Sequence, residues 1–210
     1  MLLNGKQSKP PPQQVLADAK SALFNATSVH VKGNVSAQGN SERIDLQFQG
    51  QDTSGSLTIT GIPVQIVKTA RKVYIKAPDQ FWVKTVSSTL APRLANRWLV
   101  QDAAKAGNLS SLTLQGVAAF LNSSDSPLKP AVTTAVVNGQ KGVVLTEQDG
   151  SQFAVANTGA PLPLSVTNAT TPTSSGTLTF TGYGQPRTIS PPPGAVAPEQ
   201  AAKAPSGGKA

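Results

Sequence analysis

Cysteine is absent from the 210 residues, and its absence excludes disulfide bonds, thiolate metal sites and a cysteine nucleophile. Histidine occurs once, and Asp and Glu together number ten, so acid–base catalysis has few candidate groups. The single histidine, His30, falls in the middle of a predicted strand, on its polar side, without an acid or a hydroxyl at a spacing that would orient it. We therefore expect no catalytic residue, no metal ligand and no cofactor.

Charged residues and long apolar runs are also scarce. Lys, Arg, Asp and Glu make up 13% of the chain, against about 25% in ordinary soluble domains. Ser, Thr, Asn and Gln fill the polar positions instead, which favours an exported or envelope protein. No apolar run approaches the ~20 residues that a membrane-spanning helix needs, and no signal peptide is visible after Met1. We expect the first residues to stand where a targeting segment would be, with a native cytosolic start as the alternative.

The net charge of +8 is concentrated in one part of the chain. Seven basic residues lie between Lys68 and Arg97, where Asp79 is the only acid. Such a region could meet nucleic acid, anionic lipid headgroups or an acidic partner, or it could be an ordinary solvated surface. Tyr74 and Trp82 interleave with these lysines, as base-stacking aromatics do. We nevertheless expect no nucleic-acid binding, because the same stretch alternates towards a core and contains no RNA-recognition motif.

Alternation of apolar and polar residues predicts that most of the first hundred residues are β-strand. A polar leader over residues 1–11 is expected to be disordered. A helix then begins at Pro12 and is capped by Asn25. About six strands follow in succession, each with one apolar side and one polar side. The sixth is predicted at Phe81–Val83, after a Pro-Asp turn.

Residues 86–123 interrupt the strands with helical periodicity. Pro92 indicates that the first helical piece is short or broken. The second piece begins after Ser110 or Ser111, either of which suits the N-cap position. Its apolar stripe must cover an apolar surface elsewhere in the fold.

Five further strands follow the helical pieces. Asn138-Gly139 lies between two of them and is typical of a two-residue hairpin turn, because both positions need positive φ. Phe153 and Val155 continue the apolar side. Residues 186–210 are rich in Pro, Ala and Gly, and we predict that they form a mobile tail.

About eleven antiparallel strands with one apolar face make a sheet that will curl and that needs a cover. The helical pieces are the elements left to supply it. We therefore predict an α+β fold in which a single curved antiparallel sheet, a half-barrel, has helices over its concave apolar face. The domain should span residues 12–185, between the leader and the tail. Whether the space beneath the helices is a packed core or a cavity stays open at this point.

Three stretches, taken in order, resemble the lipid-carrying lipoproteins of actinobacteria of the LprG/LppX type, relatives in fold of the LolA-like carriers. They are SVHVKGNV at residues 28–35, RKVYIKAPDQFWVK at residues 71–84 and TLTFTGYGQPRTISPP at residues 177–192. The resemblance covers most of the chain between the leader and the tail. In that family a lipobox cysteine carries the membrane anchor. The resemblance therefore implies an N-terminal lipid anchor ahead of the residues present here.

The resemblance also implies a function, that of a non-enzymatic carrier holding acyl chains of lipids or glycolipids between sheet and helices. Such a carrier would be an exported, envelope-associated monomer whose partners are its ligand and a membrane surface. Lys72, Lys76 and Lys84 would meet the headgroups or the membrane. The cavity would be lined by the inward apolar side chains, namely Val29, Val31, Ile44, Leu46, Phe48, Leu57, Ile59, Val64, Ile66, Val73, Ile75, Phe81, Val83, Leu114, Val117, Phe120, Leu121, Phe153 and Val155.

A ligand-free interaction, assembly or sensor module of the same fold is the alternative, because a packed interior would give the same apolar pattern. The two differ in interior volume. Gly116, Ala118 and Ala119 on the second helical piece, and Gly33 on the first strand, indicate either room for a ligand or sites of close packing. An enzyme is the third possibility, and the scarcity of histidine and acids speaks against it.

Overall fold

A computed structural model of the protein describes residues 10–37, 40–121, 126–168 and 174–203. The strands are β1 (Ser28–Ala37), β2 (Asn40–Gln49), β3 (Asp52–Ile59), β4 (Ile62–Lys68), β5 (Lys72–Lys76), β6 (Leu99–Asp102), β7 (Leu128–Val137), β8 (Gln140–Glu147), β9 (Gln152–Ala156), β10 (Pro163–Asn168) and β11 (Ser174–Thr181). The helices are α1 (Pro12–Phe24), α2 (Asp79–Thr85), α3 (Ala91–Leu94), α4 (Leu114–Leu121) and α5 (Pro198–Lys203). Two short 3₁₀ turns, Ala103–Lys105 and Gly107–Ser111, precede α4.

All strands named above form one antiparallel sheet of eleven strands in the order β6-β5-β4-β3-β2-β1-β11-β10-β9-β8-β7. Each half of the sheet is a run of neighbours in sequence, and the halves join where β1 pairs with β11. Helices α2 and α3 link the neighbouring strands β5 and β6, whereas the segment with the two 3₁₀ turns and α4 connects β6 to β7, the two edge strands. The predicted fold class, a single curved antiparallel sheet with helices on its concave face, is confirmed.

Local sequence explains several of the elements. Pro12 occupies the first turn of α1, and the Asn25 side-chain amide donates to the Ser21 carbonyl at 3.0 Å, as the cap prediction requires. Asn138 and Gly139 both have positive φ, 50° and 77°, and close the β7–β8 hairpin in two residues. This geometry is the one that matches the right-handed twist of paired strands.

The predicted strand at Phe81–Val83 is wrong, because these residues belong to helix α2. Pro78 supplies an extended residue before the helix, and Asp79 places a carboxylate in its first turn, where the helix dipole favours it. In a strand Phe81 and Trp82 would point to opposite faces. In the helix both are buried. Their rings pack edge to face, with centroids 4.9 Å apart. Val83 is instead 43% exposed, so it does not face the interior.

The sixth strand of the sheet is β6, which lies within residues 86–123, the region predicted to be helical. Helix α4 also begins later than predicted, at Leu114. Its cap is Thr113, whose hydroxyl oxygen accepts the Gly116 N–H at 3.0 Å. Ser110 and Ser111, the predicted caps, lie in the preceding 3₁₀ turn, where their hydroxyls donate to carbonyls three residues earlier.

The predicted mobile tail is wrong for the part of it that the structure describes. Beyond β11 the chain passes the end of β2, where the Arg187 N–H donates to the Gln49 side-chain oxygen. It then reaches the edge strand β6, where Val196 exchanges backbone hydrogen bonds with Trp98 and Val100. We call residues 182–203 the C-terminal strap. The limits of the domain, 12–185, stay a prediction.

Candidate functional site

The concave face of the sheet carries the inward apolar residues of nearly every strand. Strand alternation puts Val29 and Val31 of β1 on this face, and the antiparallel register sets Val31 opposite both Leu46 of β2 and Phe180 of β11. Helices α1 and α4 lie over this central part and contribute Ala19 and Leu114 to its packing. We call the result the α1–α4 cluster. Its buried members are Ala19, Leu23, Val29, Val31, Leu46, Phe48, Leu114, Ala118, Leu145, Phe153, Val155, Val166, Leu178 and Phe180.

A second cluster covers the β3–β6 side of the same face. It forms beneath α2 and α3 and receives Ala201 from α5 of the C-terminal strap. The Trp82 indole N–H donates to the Ala77 carbonyl at 3.2 Å, which fixes the ring in this cluster. We call it the α2–α3 cluster. Its buried members are Ile62, Val64, Ile66, Ala77, Phe81, Trp82, Ala91, Leu94, Leu99 and Ala201.

Two residues pack against both clusters, Leu57 on β3 and Leu112 just before α4. A hydrogen bond to the sheet fixes the backbone of Leu112, because the Thr53 hydroxyl of β3 donates to the Leu112 carbonyl at 2.7 Å. The line through Leu57 and Leu112 is therefore the border between the clusters. Along this border the helical cover changes from α1 and α4 to α2 and α3.

Most of the predicted cavity-lining residues converge on these two clusters. Ile44, Leu57, Ile59, Ile75 and Val117 are partly buried against them. The side chains of Phe120 and Leu121 lie outside the described ones. The buried members of the predicted set are Val29, Val31, Leu46, Phe48, Val64, Ile66, Val73, Phe81, Leu114, Phe153 and Val155. That these residues line a cavity stays a prediction.

The glycines that indicated either room or close packing are sites of close backbone approach. A Cβ at Gly116 would collide with the Ser111 carbonyl oxygen, and one at Gly33 with the Thr177 carbonyl oxygen. On α4, Ala118 is buried, whereas Ala119 is exposed. Packing therefore accounts for the small residues at Gly33, Gly116 and Ala118.

A pocket of about 590 Å³ opens beside the α1–α4 cluster, between α1 and the start of β7. Leu16 and Leu128 line it and also pack against that cluster, so its floor continues into the apolar interior. Lys20 and Glu147 line it as well. The pocket is thus lined by both charged and apolar side chains, and of the charged ones Glu147 is buried.

Lys68, which the sequence analysis places only in the basic region, lies on the concave face. Lys68 follows Ile62, Val64 and Ile66 at the inward positions of β4 and is 3% exposed. Its ammonium donates to the Gln51 carbonyl at 2.9 Å. Burial lowers the pKa of Lys68, and the charge of Asp52 opposes this effect. The alternation of β4 was the signal that could have placed Lys68 inside.

The predicted headgroup contacts do not form one row. Lys72 and Lys76 alternate with inward Val73 and Ile75, so they lie on the outer face of β5, whereas Lys84 is exposed on α2. The Lys72 ammonium donates to the Asp102 carboxylate at 2.8 Å, and this bond raises the pKa of Lys72. Lys72 is therefore already paired within the protein.

His30 is not isolated, contrary to the prediction. Its Nε2 lies 2.6 Å from the Asp45 carboxylate, whose other oxygen is 3.0 Å from the Lys32 ammonium. The hydrogen bond from His30 is the largest cause that lowers the pKa of Asp45. The three side chains lie on the outer face, away from both clusters, and depend on the β1–β2 register, which spacing along the chain does not reveal. Within the described residues, no group of three or more His, Asp and Glu could hold a metal ion.

Comparison with known proteins identifies the fold. LprF from Mycobacterium bovis superposes with a TM-score of 0.60 at 15% sequence identity, covering 88% of this chain and 99% of that one. The Mycobacterium tuberculosis lipoprotein LppX superposes with a TM-score of 0.53 at 17% identity, covering 85% and 99%. No family model and no curated protein matches the sequence. The likeness confirms, at the level of the fold, the resemblance to LprG/LppX-type proteins.

Proposed function

We propose that this protein is a lipid carrier of the cell envelope. It holds the acyl chains of a lipid or glycolipid between the concave face of the sheet and the helices, and it moves that ligand between membranes without chemical change. Its fold, shared with LprF and the lipoprotein LppX, supports the proposal. In the described part of the chain, no helix has the length and apolarity to cross a bilayer.

One observation carries the proposal: a single sheet presents one continuous apolar face, but two separate groups of helices cover it. The sheet is held by backbone hydrogen bonds between neighbouring strands, whereas the helices above it are short and belong to two separate clusters. Moving the α1–α4 pair away from the α2–α3 pair would open the border at Leu57 and Leu112 and leave the strand pairing intact. A packed interior that can part along such a line suits a ligand that enters and leaves.

The energetics favour retention of a bound lipid. Each buried CH₂ group contributes about 0.8 kcal/mol, so two sixteen-carbon chains gain on the order of 20 kcal/mol before ordering costs. The free-energy cost of separating Leu57 and Leu112 from their neighbours offsets part of that gain. We propose that the ligand enters at the pocket between α1 and β7, because Leu16 and Leu128 line it and also pack against the α1–α4 cluster.

The cellular setting follows from the same proposal. The protein acts outside the cytoplasm as a monomer, and an N-terminal lipid anchor holds it at the membrane while it exchanges ligand. Lys76 and Lys84 are the basic residues proposed to meet anionic headgroups, because Lys72 is engaged with Asp102. No catalytic step belongs to this function.

A ligand-free interaction or assembly module is the second candidate, favoured by the tight burial of both clusters and the close approach at Gly116. Native mass spectrometry of protein purified from an actinobacterial host decides between them. Carrier function predicts a mass increase that disappears on extraction with organic solvent. A single mass equal to that of the polypeptide and its anchor, with no lipid in the extract, would favour the module.

A further inference from the structure

Lys68 ends an otherwise apolar row on the concave face. Ile62, Val64, Ile66 and Lys68 occupy the four inward positions of β4, and all four are buried. A lysine at such a position loses the hydration of its ammonium, which is among the costliest burials a side chain can undergo. Its presence there needs a compensating contact.

The contacts within the described residues do not supply a counter-charge. The ammonium has three N–H donors, and its hydrogen bond is to the neutral carbonyl of Gln51. The ion pairs of the described residues involve His30, Lys32 and Lys72, and none of them includes Lys68. Asp52 acts on Lys68 only through its charge, and burial outweighs it. A buried cation with a single neutral acceptor retains donors for an anion.

The place of Lys68 indicates how an anion would reach it. Lys68 pairs in register with Thr53, and Thr53 holds the carbonyl of Leu112. Leu112 marks the border between the α1–α4 and α2–α3 clusters. An acyl chain that lies along this border would therefore end beside Lys68 and bring its polar end within reach of the ammonium.

We propose that Lys68 recognises the anionic end of the ligand, so that the ligand class is an acyl lipid whose first polar group is a carboxylate or a phosphate ester. This inference rests on the proposed carrier function and adds a specificity residue to it. The free N–H groups of the ammonium would donate to the anionic oxygens, in charge-assisted bonds that are shorter and stronger than those to neutral oxygens.

The test compares ligands that share a chain and differ at its end. Palmitate, hexadecyl phosphate and hexadecanol are titrated calorimetrically into delipidated protein at neutral pH, where the two acids are anionic. We expect the wild type to bind the two anions at least about tenfold more tightly than the alcohol, the scale of one hydrogen bond to a charged group. Lys68→Met should lose that preference and keep its affinity for hexadecanol. Lys72→Met, on the outer face, is the matched control and should behave like the wild type.

Each other result has a defined meaning. A wild type that binds acids and alcohol equally overturns the role of Lys68 and leaves the carrier function standing, whereas a wild type that binds none of the three overturns both. Competition by inorganic phosphate with equal potency to hexadecyl phosphate would reduce the site to a free-anion site and also overturn the inference. Lys68→Met should melt no lower than the wild type, because it removes a buried charge. If it does not fold, Lys68→Arg, which retains the charge, must keep the preference for anions.

Discussion

Val196 of the C-terminal strap forms a parallel bridge with Leu99 of β6, at the outermost strand of the sheet. The bridge covers backbone groups that an edge strand would otherwise leave unpaired. Five residues later Ala201 is buried in the α2–α3 cluster, and the Arg93 guanidinium donates to the Ala202 carbonyl. The strap therefore holds β6 and α3 together.

Introducing a charge at Ala201 should release the strap. Ala201→Asp would bury an unpaired carboxylate, so we expect α5 to detach and the free energy of unfolding to fall by about 1–3 kcal/mol. Ala119→Asp is the matched control, because Ala119 is an exposed alanine on helix α4. Hydrogen exchange should show faster exchange over residues 91–102 in Ala201→Asp alone. Unchanged protection there would mean that the strap does not stabilise this edge.

The pair His30–Asp45 predicts a small loss of stability in acid. The pKa of Asp45 is lowered in the folded state by His30 and Lys32, so this carboxylate stabilises the fold fully above its unfolded pKa of about 3.9. The contribution disappears as the pH falls through the lower, folded pKa. Because the pair is partly exposed, its loss should cost about 0.2–1 kcal/mol.

Urea unfolding at neutral and at acidic pH measures this effect. From neutral to acidic pH, the free energy of unfolding should fall more for the wild type than for Asp45→Asn, because the asparagine at position 45 cannot titrate. His30→Ala should remove most of the difference and leave lipid content unchanged, because the pair lies on the outer face. Equal acid sensitivity of the wild type and Asp45→Asn would show that Asp45 is not stabilised by its neighbours.

Much of the sheet could be predicted because alternate burial is a local property of a strand. Spacing alone predicts that Val29, Val31, Leu46 and Phe48 lie on the apolar side, and all four are buried. The strand prediction for Phe81–Val83 is wrong because a few residues of alternation after Pro78 fit a strand and a helix equally well. The identity of this stretch was decided by the burial of both Phe81 and neighbouring Trp82, which only tertiary packing reveals.

The site was harder to predict, because it depends on register and on contacts between distant segments. The His30–Asp45 pair needs the alignment of β1 with β2. The anchoring of Leu112 by Thr53 joins residues 59 positions apart. Lys68 is the exception. The alternation of β4 predicts which of its residues point inward, and Lys68 is a charged residue at one of these positions.

Lys76 and Lys84 should speed the encounter with anionic membranes without changing acyl affinity. Each cation near such a surface contributes about 1 kcal/mol, and salt screens the attraction. The double variant Lys76→Glu/Lys84→Glu should therefore take up lipid more slowly from anionic vesicles at low salt, measured by stopped-flow fluorescence, and at an unchanged rate from neutral vesicles. Equal rates on anionic vesicles would assign both lysines to solubility.

Val117 on α4 tests whether the interior opens for a ligand. Val117 is partly buried against the α1–α4 cluster, one position before buried Ala118. If acyl chains occupy the space beneath α4, an indole at this position takes their place. Val117→Trp should then stay folded, with a Tm near that of the delipidated wild type, and should lose bound lipid. Val132→Trp, at an exposed position on β7, is the control and should keep its lipid.

A closed interior predicts the opposite pattern for the same variant. Without ligand space, the extra volume of Val117→Trp overpacks the cluster and costs about 1–3 kcal/mol, so its Tm should drop below that of Val132→Trp. Melting temperature and extracted lipid, measured on the same sample of each protein, separate the two cases. A destabilised Val117→Trp together with a wild type that never contains lipid would contradict the carrier function, because the helices would then cover a core and not a binding site.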